Sequence, residues 1–460
     1  MTQAAAPAVT RDEEIRRAYS ADASGLVMVP EGVARPASAD EVAALLAEAS
    51  SERMPVTAAG GQTSTTAASI SDRGIVMSLR AMQRIIDIDP AARTARVEPG
   101  VLVGELKRAC AAHDLLLAPD PTSEEECTVG GAVACNASGA RSLRYGATRP
   151  HVRALRVALA DGSLVEVRRT ALEKNTVGYA MAHDPVDWFV GSEGTLGVVV
   201  EVELGLLPLP EQVVGLAIPF ATEPDSLRFV VAARDSTAVH ARCIEFFDAL
   251  ALGIAREAEG SRDWAAAAGA FVYVEEVPPP GVDPALDEWL ALAERHGALV
   301  DDVRVYEGET ALRDARRVRH AVPAHMNERG AARRAHGGRK VSTDWAVPYP
   351  YLAQAIGRAR ALADEARVPQ AVTYGHAGNG HPHQNFIAHD SGELARIERV
   401  VEATLREVIA LGGTVAAEHG IGKLKRKWLP LQMSPLQVRA MRAVKQELDP
   451  AGILAPGNVL

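Results

Sequence analysis

Between Thr373 and Asn385 the chain reads TYGHAGNGHPHQN, and no regular helix survives that spelling. Gly375, Gly378 and Gly380 loosen the backbone and Pro382 removes a donor, so the stretch must be a bent strand or a strand–loop–strand. In an extended segment His381 and His383 share a face, and the glycines allow His376 to swing round and join one of them. A second stretch, Ala417 to Gly422 (AEHGIG), sets the carboxylate of Glu418 beside the imidazole of His419. Two or three imidazoles with one carboxylate form a ligand set for a borderline divalent ion such as zinc, manganese or iron. A lone histidine in a polar loop usually bonds a backbone group. Four of the chain's 13 histidines crowded into two glycine-rich stretches call for a different explanation.

A chain of 460 residues is too long for one ordinary core, so two or more domains are expected. The formal net charge of −10 provides no basic footprint and argues against a nucleic-acid binder. No apolar run reaches the ~18 residues of a membrane span. The first residues, MTQAAAPAVTRDEEIRR, lack a basic start followed by an apolar core. Cytoplasmic is therefore the default location, with peripheral attachment to a membrane left open. Cys110, Cys127, Cys135 and Cys243 form no CxxC pair and suggest no disulfide framework.

In chain order, Ser38-Ala39-Asp40-Glu41 is a capping-box pattern. It opens an amphipathic helix that carries Ala43, Leu45, Leu46 and Ala49 and ends near Arg53. Pro55 to Ser64 (PVTAAGGQTS) reads as a short strand entering a loop of glycines and hydroxyls, whose N–H groups suit a diphosphate. The loop is neither GxGxxG nor a P-loop. IIDID and TARVEPG read as a hairpin, and Val103 to Leu117 as a helix. Ala118 to Gly146 has almost no periodicity, yet holds Gly130-Gly131, Asn136, Ser138-Gly139 and Tyr145-Gly146. Long loops without regular structure are uncommon unless they bind something. A hairpin turning at Asp161-Gly162 follows, and Gly191 to Gly197 (GSEGTLG) leads into the strand VVVEVELGLLPL. Three glycine-rich loops set between strands suit one long ligand. From Glu211 the strand-like runs VVGLAIPF, ARCIEFF, AFVYVEEV and LVDDVRVY alternate with helical stretches near Pro224–Arg234, Pro284–His296 and Thr310–Arg329. That order suggests an antiparallel sheet with helices on one face.

PVTAAGGQTS, PDPTSEEECTVGGAVACNASG, LRYGATRPHV, GSEGTLGVVVEVEL and the closing LDPAGILAPGNVL resemble the FAD-linked oxidase family, whose FAD domain is of the vanillyl-alcohol-oxidase (PCMH) type. GHAGNGHPHQN and AEHGIGKLK resemble its branch acting on D-2-hydroxy acids. That branch contains glycolate oxidase catalytic subunits, D-lactate dehydrogenases and D-2-hydroxyglutarate dehydrogenases. The resemblance runs collinearly over nearly the whole chain. It implies an α+β fold with a PCMH-type FAD-binding domain of two α+β subdomains over residues 1–210. A substrate or cap domain, an antiparallel sheet covered by helices, would occupy 211–415, and a C-terminal segment, 416–460, would return to the FAD domain.

The resemblance also implies FAD contacts. They fall on Ala59, Gly60, Gly61, Gln62, Thr63 and Ser64 in the first loop. In the second they fall on Pro121, Thr122, Thr128, Gly130, Gly131, Asn136, Ser138, Gly139, Tyr145 and Gly146. Glu193, Gly197, Val198 and Asn458 complete the set. Relatives that attach FAD covalently use a histidine in the first loop; Ala59 to Ser64 offers none, so non-covalent FAD is expected. Gln62 stands where the family often has a third glycine, and Ala67-Ala68 where Gly-Gly is common. Asn379 replaces the usual Asp and His381 the usual Asn, which alters the surroundings of the substrate and makes His381 a further candidate ligand. Arg319 stands where relatives hold the substrate carboxylate with a basic residue, and a guanidinium fork fits a carboxylate bidentately. Asp344 matches the family's acidic position.

A 2-hydroxy acid passes two electrons to a flavin when its Cα–H points at N5, its hydroxyl proton leaves and the developing alkoxide is stabilised. A divalent ion on His376, His383 and Glu418, zinc first with manganese or iron as alternatives, would chelate the hydroxyl and carboxylate together. His419 is the expected base, and FAD the hydride acceptor. The expected reaction is oxidation of a D-2-hydroxy acid such as glycolate or D-lactate to the 2-oxo acid. Two other readings stay open: a metal-independent FAD oxidase of another alcohol using O2, and a flavin-binding electron-transfer subunit without a substrate of its own. No Fe–S cysteine set or haem motif is present. The expected electron acceptor is therefore external: a quinone, a cytochrome, an electron-transfer flavoprotein or a sister subunit. Oligomeric state is open.

Overall fold

The computed structural model describes residues 5–261 and 263–460. The chain divides into two compact units, one of Met1–Gly139, Gly146–Leu209 and Glu418–Leu460, the other of Ala140–Tyr145 and Pro210–Ala417.

The first unit carries two main sheets. Gly32–Ala34, Ile75–Ser78 and Val56–Ala59 run parallel in that spatial order. The helix Ala39–Glu52 buries Val42, Leu45, Leu46 and Ala49 in a core shared with Ile75 and Met77. The Ser38 half of the expected capping box is made, its side chain accepting the Glu41 N–H, while Glu41 Oε2 accepts the Ala37 N–H and not that of Ser38. The last residues of the chain close this core. Val56 donates to Ile453 O at 2.8 Å, Ala455 donates to Val56 O at 2.8 Å, and Ile453 and Leu454 are buried. The second sheet is antiparallel throughout, in the order Ile85–Asp89, Thr94–Val97, Val198–Gly205, Val152–Ala158, Leu164–Arg168.

Three local expectations need correction. The helix starting at Val103 ends at Ala111, not Leu117. Asp114 takes a left-handed φ of 57°, and the apolar run after it pairs Leu115–Leu116 with Leu207–Pro208 as a short antiparallel ladder. The stretch 118–146 also has helices, Val129–Cys135 and Ser142–Tyr145. Glycine weakens a helix on its own, but Thr128 caps this one by accepting the Gly131 N–H. The smallness of Gly130 lets the helix lie against Pro99, where a Cβ would come within 2.6 Å of the ring. In LVDDVRVY a 3-10 turn at Val300–Asp302 interrupts the run, and only Arg304–Glu307 is strand.

The second unit is a seven-stranded antiparallel sheet. Its order is Arg304–Glu307, Val214–Phe220, Ala270–Glu276, Ala241–Asp248, Val372–His376, His381–Asp390, Gly337–Ser342. Val214–Phe220 and most of Ala270–Glu276 are nearly continuous apolar runs because helices cover both faces, not the one face expected. On one face Phe247, Phe271, Tyr273, Tyr374 and Ile387 pack with Ala251, Leu252, Ala315, Val322 and Met326 from the helices Ala249–Glu259 and Gly308–Ala331. On the other, Phe220 meets Phe229 and Phe229 meets Trp289, from the helices Glu223–Asp235 and Leu286–Arg295. Among the described residues all four cysteines are free, and no helix is long and apolar enough to cross a membrane.

Candidate active site

A hairpin gathers the histidines. Val372–His376 and His381–Asp390 pair so that His376 lies opposite His381, and Tyr374 opposite His383. Opposed residues and residues two apart share a face of the sheet. The three imidazoles therefore meet at the turn end, with ring centroids 5.4 Å apart for His376–His381, 5.2 Å for His376–His383 and 4.6 Å for His381–His383. One nitrogen of each lies within 4.8 Å of the other two, and the residues are only 3%, 4% and 8% exposed. Glycine makes the turn possible. Gly380 sits at φ 67°, and a Cβ there would stand 1.9 Å from Val347 O. This is the strand–loop–strand expected from the spelling.

The next residue outward is Glu245, on Ala241–Asp248, with a wholly buried side chain. Its Oε1 lies 2.7 Å from His376 Nδ1, and its Oε2 accepts from Arg319 Nε at 2.6 Å. An Arg319 terminal nitrogen lies 3.3 Å from the same His376 Nδ1. Burial pushes the Glu245 carboxyl up, but the Arg319 charge and the hydrogen bonds from Arg319 and His376 outweigh it and hold the pKa at about 2. Glu245 is thus an anion that only accepts, so its short contact calls for a proton on Nδ1, and a neutral His376 would then carry its lone pair on Nε2. This is the carboxylate–imidazole arrangement that prepares a histidine for a metal. Sequence reasoning missed Glu245, although a carboxylate inside the apolar run ARCIEFF requires a partner once buried. Arg319 lies beside the cluster, with its Nε committed to Glu245. Asp344, 2% exposed, brings Oδ1 to 3.2 Å from His381 Nε2.

Glu418 and His419 open the last segment of the first unit. Ala417, one peptide bond earlier, donates its N–H to Asp344 O at 2.8 Å. The two side chains are neighbours, with His419 Nε2 3.5 Å from Glu418 Oε1. Glu193, buried and at φ 52°, fixes the loop by accepting the Ile421 and Gly422 N–H groups at 2.6 and 2.7 Å. Thr66 Oγ1 also donates to His419 O at 3.3 Å.

The candidate FAD residues lie in the first unit, except Tyr145, which falls in the second. The loop after Ala59 packs on the start of the Val129–Cys135 helix. A Cβ on Gly60 would meet Thr128 Oγ1 at 2.2 Å, and one on Gly61 would meet Glu126 O at 2.1 Å. The N–H groups of Gly61, Gln62, Thr63 and Ser64 donate no hydrogen bond among the described residues, which leaves a row of donors suited to a diphosphate. Of the three departures from glycine, Gln62 and Ala67 hold left-handed φ of 55° and 62°, a conformation glycine adopts most readily, and Ala68 does not. Pro121 accepts the Glu124 N–H in the turn that also carries Thr122. Gly139 lies against Asp120, and Gly146 turns at φ 78°. Other candidates have side chains engaged within the protein. Asn136 Oδ1 accepts the Arg149 N–H at 2.9 Å, and Asn458 Nδ2 donates to Ala68 O at 2.8 Å. Gly197 and Val198 lead into the strand Val198–Gly205, with Gly197 close against Val157.

Residues 30–168 match the family described as "FAD binding domain", and residues 209–459 match "FAD linked oxidases, C-terminal domain". The chain belongs to the FAD-linked oxidase family, and FAD is its cofactor. It is 32% identical to a D-lactate dehydrogenase of Archaeoglobus fulgidus, over 93% of this chain and 91% of that one. It is 29% identical to the glycolate oxidase subunit GlcD of Bacillus subtilis, over 96% and 92%. It is also 29% identical to a D-2-hydroxyglutarate dehydrogenase of Xanthomonas citri pv. viticola, over 94% and 89%. A solved structure of alkyldihydroxyacetonephosphate synthase shares the fold with a TM-score of 0.74 at 18% identity, over 97% of this chain and 82% of that one.

Proposed function

We propose that this enzyme oxidises a small D-2-hydroxy acid to the 2-oxo acid and passes the electrons through non-covalent FAD to an external acceptor. The observation that carries the reading is the buried meeting of three imidazoles with Arg319 and an ionised Glu245. A hydroxy acid presents a carboxylate and a hydroxyl on adjacent carbons, and both suit such a patch. His376, His383 and Glu418 would hold a divalent ion, zinc first, which supplies charge to orient the substrate and acidify its hydroxyl. Glu245 keeps the His376 lone pair on Nε2. Arg319 holds the substrate carboxylate, and His419 takes the hydroxyl proton. FAD supplies the two-electron acceptor, and its non-covalent attachment rests on the lack of a histidine in Ala59 to Ser64. The three relatives, named for glycolate, D-lactate and D-2-hydroxyglutarate, support the same substrate class.

The test is anaerobic bleaching of the flavin by a panel of D- and L-2-hydroxy acids, glycolate included. D-acids are expected to bleach it and their L-enantiomers to do so far more slowly. Equal bleaching by both enantiomers, or by simple alcohols without a carboxylate, would contradict the proposal.

A further inference from the structure

We infer that His381 is itself a metal ligand, so that this chain holds its divalent ion with three imidazoles. The inference rests on the metal reading above and concerns which side chains form the ligand set. His381 is 4% exposed and lies directly opposite His376 in the hairpin register, its ring 4.6 Å from that of His383. Its Nε2 is buried and forms no hydrogen bond among the described residues. Asp344 Oδ1 stands 3.2 Å away but out of hydrogen-bond alignment.

A core histidine satisfied by its neighbours would show a bonded nitrogen. This one instead keeps a nitrogen within 4.8 Å of a nitrogen on each of the other two rings. Its position is fixed by the backbone, because it directly follows Gly380, which is held against Val347 O in a conformation few other residues adopt. Three neutral imidazoles bind borderline ions such as zinc, cobalt and nickel more strongly than manganese, which favours oxygen donors. The third histidine should therefore sharpen selectivity for zinc over manganese, while the Asp344 carboxylate beside it offsets part of the ion's charge.

Two measurements on the FAD-loaded, full-length protein test this. X-ray absorption of the zinc-loaded wild type counts imidazoles directly; three are expected, and two would overturn the assignment. Competition with a zinc chelator then compares wild type with His381→Asn. The variant is expected to lose zinc affinity by more than about 100-fold, beyond the usual cost of an outer-shell partner, while its flavin content stays at the wild-type level. Unchanged affinity in a flavin-replete variant would overturn the inference. A variant that fails to fold leaves the decision with the absorption count, which needs no substitution. Wild type that binds no zinc would sink the metal reading as a whole, whereas zinc on two imidazoles would sink the role of His381 alone.

Discussion

His383→Ala is expected to remove the metal and abolish turnover while FAD stays bound. His383 sits at the turn end of the hairpin, its ring beside His376, His381 and Tyr374. Removing a ligand should cost more than the roughly 10–100-fold in affinity typical of outer-shell losses. The candidate FAD loops belong, apart from Tyr145, to the other unit of the chain, so the two losses should separate. Metal content by mass spectrometry and flavin released on denaturation would be read on the same sample. Loss of both together would mean that the substitution unfolds the protein, and full metal content would mean that His383 is no ligand.

His419→Ala is the second large effect. It should slow flavin reduction by about 10²–10⁴-fold, the usual share of a general base, with metal and FAD retained. The loop should keep its shape in the variant because its contacts are to the backbone: Glu193 holds the Ile421 and Gly422 N–H groups, and Thr66 holds the His419 carbonyl. Single-turnover reduction monitored by flavin absorbance measures the rate. A rate near wild type would move the base elsewhere.

The parts of this site that were legible in the sequence are those written locally. Glycine, proline and histidine within thirteen residues dictate a hairpin with its imidazoles at the turn, and Ser38 with Glu41 dictates a helix start. Glu245 was not legible, because its role depends on strands and a helix more than seventy residues apart meeting around one carboxylate. The helix Val129–Cys135 was hidden for a related reason. Its glycines read as loop until Pro99 supplies the close surface that makes small residues an advantage. The short ladder at Leu115–Leu116 depends on Leu207–Pro208, a partner no local pattern announces. Coverage of the large sheet on both faces follows from packing, since strands apolar on both sides do not say which helices will cover them. Gln62 and Ala67 show the converse: neither is glycine, yet both take a left-handed φ that their side chains do not announce.

The central claim is that a divalent ion on the histidine cluster orients and acidifies the substrate. Metal analysis of the purified wild type, paired with single-turnover flavin reduction before and after chelation, tests it most directly. The account predicts about one ion per chain, loss of reduction on chelation and its return when zinc is restored, with FAD bound throughout. A wild type without stoichiometric metal whose reduction rate is indifferent to chelators would contradict it.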